Sequence, residues 1–133
     1  MNPSLQARES AIIPLVATQT HVDKEGYFVE IASNTQASIC NSAADAPYGI
    51  ILNGAEAGQQ SSIGILGALP GTYRVKLGAA ITNLATKLQL RADGTVGPDT
   101  GAGARVLVGA PCELGTADEK IEAALFAPIV FLA

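Results

Sequence analysis

The single histidine and the acidic residue near it have the side chains best suited to chemistry. His21 precedes Asp23 on a polar stretch, and with a serine or threonine they supply the residue types of a hydrolase triad. A triad needs nucleophile, base and orienting acid within hydrogen-bond reach, which closeness in sequence does not provide. The Gly-x-Ser-x-Gly turn that exposes a nucleophilic serine is also missing. We therefore predict a surface histidine and a protein that is not an enzyme.

Three glutamates near the end of the chain are candidates for a metal or acid–base site. Glu113, Glu119 and Glu122 are close enough in sequence to cluster. On a strand, however, Glu122 points away from the face that carries Ile121, toward water. The pattern therefore favours a solvated acidic face, and no metal site is predicted.

The two cysteines allow two interpretations. Cys40 and Cys112 lie far apart and outside any Cys-x-x-Cys pair, and His21 is the only histidine, so a structural zinc site lacks its ligands. A disulfide between them is one reading. Residues 1–10 show no signal peptide pattern. Two small buried side chains are therefore the favoured reading.

Composition argues against nucleotide, nucleic-acid and membrane partners. The segment 101–103, Gly-Ala-Gly, lacks the third glycine and the helix of a dinucleotide fingerprint, so no cofactor is predicted. The net charge is −4 and the 8 Lys and Arg residues are scattered, whereas phosphate backbones are bound by clustered basic residues. The longest apolar run, residues 123–133, is shorter than the ~20 residues of a membrane helix. Charged residues make up only 15 %, so part of the apolar surface is expected to be covered by another subunit.

The spacing of turn residues predicts a mainly β fold. Tyr73, Val75 and Leu77 alternate with polar neighbours, as on a strand with one buried face. Residues 49–52 form a compact apolar strand, and Asp93-Gly94 marks a tight hairpin turn. The expected fold is a small β-barrel of short antiparallel strands over residues 46–133, preceded by an N-terminal arm and first strands over 1–45.

Two segments are less regular. Pro14 removes a backbone donor from an apolar stretch, which suits an edge strand or an extended arm. Residues 117–126 fit either a helix that begins with a Thr116–Glu119 capping box or a strand of period two. The hairpin-rich context favours the strand.

From residue 48 onward, turn and glycine patterns occur in an order shared with a known family. The segments are YGIILNGAEAGQ (48–59), GTYRVKLG (71–78), LQLRADGTV (88–96) and GARVLVGA (103–110), followed by an acidic segment and an apolar tail. Over residues 48–131 the chain resembles the capsid cement, or head decoration, proteins of tailed bacteriophages.

The resemblance implies a virion protein, made in the host cytoplasm, that assembles as a homotrimer on the outer capsid surface. It would bind the major capsid protein and cement its lattice. Other virion roles, such as a head fibre base or tail component, and a small-molecule-binding barrel are the alternatives. The predicted capsid contacts are Ile12, Ile13, Pro14, Leu15 and Val16. The predicted subunit interface or core residues are Tyr73, Val75, Leu125, Phe126, Ile129 and Phe131.

Overall fold

The computed structural model describes residues 11–68 and 71–132. Within them the chain forms strands and turns and no helix, so the predicted mainly β fold with a small barrel is confirmed. The strands are β1 (Ile12–Ala17), β2 (Phe28–Ser33), β3 (Gln36–Ile39), β4 (Gly49–Asn53), β5 (Gln60–Ile65), β6 (Tyr73–Lys76), β7 (Leu88–Leu90), β8 (Val96–Pro98), β9 (Arg105–Pro111) and β10 (Lys120–Phe131).

The first five strands close into a barrel, in the order β1-β3-β2-β4-β5. β1 closes it by pairing antiparallel with β5 and parallel with β3. Residues 12–17 are therefore a barrel strand paired on both sides, where an edge strand or an extended arm was predicted. The barrel also takes strands from both sides of the predicted boundary at residues 45–46.

The last five strands form a second sheet in the order β6-β10-β9-β7-β8. A parallel bridge between Leu77 and Val96 brings its two edges together, so this sheet curls on itself. Residues 120–131 are a strand, in agreement with the favoured reading of that segment. Thr116 and Glu119, read as a helix cap in the alternative, close a turn instead, because Glu119 accepts hydrogen bonds from the Thr116 amide and hydroxyl.

Two apolar clusters make up the core, and β2 and β4 contribute to both. Side chains of adjacent strand residues point to opposite faces. Phe28 and Ile50 thus belong to the cluster shared with the second sheet, while Val29 and Ile51 fill the barrel. All four are at most 1 % exposed. The continuous apolar runs of these strands are explained by burial on both faces.

The Asp93-Gly94 turn fixes the second sheet against the barrel. Asp93 accepts hydrogen bonds from the amide and hydroxyl of Thr95, which closes the turn between β7 and β8. Gly94, at φ +83°, accepts a 2.8 Å hydrogen bond from the Phe28 amide. The predicted hairpin turn therefore also links the two halves of the molecule.

Candidate functional site

His21 is fully buried, so the prediction of a surface histidine is wrong. Its Nδ1 lies 3.0 Å from the hydroxyl oxygen of Ser61, which also accepts a hydrogen bond from the Ala55 amide. Its backbone amide donates to the Ala55 carbonyl, and its carbonyl accepts from the Lys24 amide. These contacts fix a polar turn that carries the imidazole inward.

His21 and Ser61 have the residue types of a hydrolase site, but a substrate cannot reach them. The two residues are 0 % and 1 % exposed. Asp23, the acid considered from the sequence, is exposed on the turn. A substrate would reach the serine only after the barrel opened, so the pair is best explained as a structural contact.

Burial lowers the pKa of His21 below its usual 6.5, and its Nε2 has no hydrogen-bond partner among the described residues. As the pH falls through about 6.5, the unfolded chain takes up this proton before the folded chain does. We therefore expect His21 to contribute stability that is complete above that pH and is lost below it.

The test compares wild type with His21→Asn in urea at pH 7.5 and pH 5. Asparagine keeps a polar group near the Nδ1 position but does not titrate. Glu30, whose pKa is raised to about 6 by a hydrogen bond with Asp45 and by burial, acts in the opposite direction and is common to both proteins. The free energy of unfolding of wild type relative to that of His21→Asn should be lower at pH 5 than at pH 7.5. A difference between the two proteins that is the same at both pH values would contradict the expected role of His21.

The carboxylate cluster considered from the sequence is divided in the structure. Arg74 lies 3.9 Å from Glu113 and 3.6 Å from Glu122, and the Glu122 amide donates to Glu113. Glu119 lies apart, in its turn with Thr116. The side chains of the ion pairs are 39–58 % exposed, so each pair contributes at most about 1 kcal/mol. The result is a solvated charged surface across β6 and β10.

The end of β10 presents consecutive exposed apolar side chains on both faces of the strand. Ile129, Val130, Phe131 and Leu132 are 47 %, 56 %, 38 % and 87 % exposed, and we call them the C-terminal strand surface. β6 pairs with β10 at residues 120–123. In the described chain, no strand pairs with residues 124–131 on that same side.

A register shift in β10 precedes this surface. The pairing of β10 with β9 shifts register between Leu125 and Ile129, beside Pro128. Beyond the shift, Phe131 lies under the Arg105 guanidinium, 4.1 Å from its carbon to the ring centre. The strand end is thereby held by β9 while its side chains stay accessible. An exposed strand edge of this kind favours addition of a further strand.

The predicted interface or core residues fall into three environments. Val75 is completely buried in the core. Tyr73, Leu125 and Phe126 are half-buried, and Leu125 packs against the core cluster. Ile129 and Phe131 belong to the exposed C-terminal strand surface.

The predicted capsid contacts occupy β1 of the barrel. Leu15 is buried in the barrel interior, and Ile13 packs against that cluster. Ile12 and Pro14 are exposed and Val16 is half-buried. Deleting residues up to Val16 would remove a barrel strand, so such a deletion cannot test a contact while keeping the barrel intact.

The cysteines differ from each other. Both are free thiols; Cys40 is buried and Cys112 is exposed. The prediction of a buried side chain is therefore right for Cys40 and wrong for Cys112, which follows the end of β9. Within residues 11–68 and 71–132, no helix is long and apolar enough to cross a membrane.

Comparison with known proteins identifies a similar solved structure. No protein-family model matches the sequence, and no curated protein matches it. Among solved structures, the N base of the head fibre protein gp8.5 of bacteriophage phi29 superposes with a TM-score of 0.64. The chain is similar in fold to a phage head fibre base. Sequence identity is 13 %.

The similarity to the phi29 head fibre base extends over both halves of the molecule. It covers 86 % of this chain and 92 % of the phage protein. Neither the barrel, which ends at Ile65, nor the second sheet, which begins at Tyr73, is long enough to account for that share alone. The shared feature is thus the combination of barrel and curled sheet.

Proposed function

We propose that this chain is a structural protein of a phage virion, attached to the outer surface of the head. The observation that carries the proposal is the likeness, over most of both chains, to the base of a phage head fibre. The exposed C-terminal strand surface supports it, because exposed apolar side chains of this kind indicate assembly with further subunits. The role requires no catalysis and no cofactor.

Within that role, we propose that the chain binds the major capsid protein and cements its lattice as a homotrimer. A partner that binds only the assembled lattice stabilises it by RT ln(1 + [L]/Kd). Many copies at symmetric sites then act together, since each bridges subunits that would otherwise separate. The sequence resemblance to cement proteins supports this assignment.

A head fibre base is the second candidate, and the structural neighbour favours it. Such a base attaches to the head and carries a fibre, so it must bind the shell without needing to hold its subunits together. A small-molecule-binding barrel is less well supported, because apolar side chains pack the barrel interior. These are Leu15, Val29, Ala37, Ile51 and Ile63.

A binding experiment distinguishes the cement role from the fibre-base role. It uses shells of the major capsid protein that the same genome encodes. The purified chain is mixed with expanded shells, and sedimentation and differential scanning calorimetry are recorded. A cement protein should bind the shells and raise their disassembly temperature. A fibre base should bind and leave that temperature unchanged, and failure to bind would contradict both roles.

The C-terminal strand surface is the proposed contact between subunits. Val130→Asp places a charge at the centre of this surface, where the native side chain is 56 % exposed. We expect wild type to be a trimer at all concentrations and the variant to be a monomer, as measured by light scattering. The monomer's own stability should change by less than about 1 kcal/mol, because exposed positions contribute little.

Leu84→Asp is the matched control, since Leu84 is 51 % exposed on a loop outside the surface. It introduces the same charge and should leave the trimer intact. A monomeric wild type, or a Val130→Asp variant that remains trimeric, would show that this surface does not join subunits.

A further inference from the structure

Two carboxylates and a thiol meet beside the β2–β3 hairpin. Glu30 lies on β2, Cys40 follows β3, and Asp45 lies on the turn that leads to β4. One ligand atom from each lies within 4.8 Å of the other two. The register of the hairpin produces this meeting, because Glu30 pairs with Ser38 and the Cys40 amide donates to the Phe28 carbonyl.

The turn orients the Asp45 side chain independently of Glu30. The amides of Asn41 and Ser42 donate to Oδ2 of Asp45 at 2.8 and 3.0 Å. Both bonds are made to the same oxygen, so Oδ1 is not occupied by them. The carboxylate is thus held in place with one oxygen available to the cluster.

The thiol of Cys40 is buried and has no side-chain partner. The residue is 1 % exposed and its thiol is free. No other residue of the described chain forms a hydrogen bond to its sulfur. Cys40 belongs to the apolar core cluster, and its sulfur also lies near two carboxyl groups.

The two carboxyl groups of the cluster interact with each other. A hydrogen bond with Asp45, burial and the Asp45 charge together raise the pKa of Glu30 to about 6. Although burial opposes it, the hydrogen bonds from Glu30 and from the turn amides hold the pKa of Asp45 below its usual value. A cation bound among these groups would offset the repulsion between two carboxylates and a thiolate whose ligand atoms lie within 4.8 Å of one another.

We propose that Glu30, Cys40 and Asp45 bind one zinc ion, with water as the fourth ligand. Thiolate and carboxylate oxygen are both normal zinc donors, and three protein ligands with one open position is a common arrangement. In a tetrahedral site the sulfur and oxygen ligands lie about 3.6 Å apart. Because the ligand atoms lie within 4.8 Å of one another, side-chain movements of about 1 Å would bring them to that geometry.

The cluster is accessible to an ion from the surface. A surface pocket of about 510 Å³ lies beside the cluster and is lined by Glu30, Ile31, Ala46, Pro47 and Tyr48. As the zinc–sulfur bond forms, the Cys40 thiol releases its proton to solvent. The ion would tie β2 to the 41–45 turn, and the inference does not depend on the virion role.

Cobalt(II) is the first probe, because thiolate ligation gives it a charge-transfer absorption. The full chain, reduced and freed of metal, is titrated with cobalt and then with zinc. We expect one cobalt per chain with the thiolate absorption, displacement by zinc, and a higher melting temperature with zinc. Glu30→Gln, on a half-exposed position, should weaken binding at least tenfold.

Cys112→Ala is the matched control, since it leaves Cys40 as the only cysteine of the chain. This variant should retain the thiolate absorption in full, and Cys40→Ala should lose it. If Cys40→Ala does not fold, the Cys112→Ala spectrum still identifies the ligand. Absence of the absorption in wild type, its loss in Cys112→Ala, or tight binding by Glu30→Gln would overturn the proposal.

Discussion

Phe28→Ala is expected to lower the free energy of unfolding by about 3–5 kcal/mol. The Phe28 side chain is completely buried in the cluster that joins the barrel to the second sheet. Truncation removes the apolar contacts of the ring and leaves a cavity that β2, paired on both sides, cannot close. Because most domains have only about 5–15 kcal/mol of stability, this loss is a large share of the total, and the variant should unfold at a clearly lower urea concentration than wild type.

Phe131→Ala is the matched control for Phe28→Ala. It makes the same chemical change at a ring that is 38 % exposed and stacked under Arg105. We expect a loss of about 1 kcal/mol or less, from the cation–π contact and partial burial. Urea unfolding followed by circular dichroism measures both variants in the monomeric Val130→Asp background, so that the proposed subunit contact of Phe131 does not contribute. Similar losses for the two would show that Phe28 does not couple the two halves.

Two kinds of strand are predicted well from the sequence. In one kind a buried face lies opposite an exposed face, and in the other kind both faces are buried. On β6, Val75 is buried and Arg74 is exposed, in line with the alternation. On β4, Ile50 and Ile51 are both buried, in line with the continuous apolar run. Both patterns are local, since strand geometry alone decides which side chains share a face.

Barrel closure is not predictable in the same way. β1 pairs with β5, about fifty residues away, and with β3 in parallel. Pro14 lies within that strand, opposite Ser62, although its missing amide favours an edge or an arm. Apolar packing inside the barrel determines which strands pair with β1. That packing involves residues distant in sequence, so the sequence of β1 alone does not predict its partners.

The sequence also does not predict which residues come together in the two polar clusters. His21 is buried against Ser61, and a polar stretch gives no sign that one of its residues turns inward. Glu30, Cys40 and Asp45 come from a strand, a strand end and a turn, with no ligand spacing typical of zinc proteins. Their positions follow from hairpin register, so only the folded chain brings them together.

Gly54→Ala is expected to destabilise the barrel by about 3 kcal/mol or more. A methyl group at this position would overlap the backbone carbonyl oxygen of His21 and lie 2.9 Å from Oε2 of Glu25. The carbonyl cannot retreat easily, because it accepts the Lys24 amide and the neighbouring His21 amide donates to Ala55. The Glu25 carboxylate is likewise held by the Gly54 amide at 3.0 Å.

Gly58→Ala separates this overlap from the general cost of replacing a glycine. Gly58 has a φ of +85°, and a methyl group there meets nothing within 4 Å. Its substitution should cost about 1–2 kcal/mol, from the left-handed backbone alone. Gly54 carries no such backbone penalty, so a larger loss at Gly54, measured by urea unfolding, isolates the clash with the His21 turn. If Gly54→Ala were the milder variant, this turn would have to shift without breaking its hydrogen bonds, and the buried imidazole could not be held as tightly as its contacts indicate.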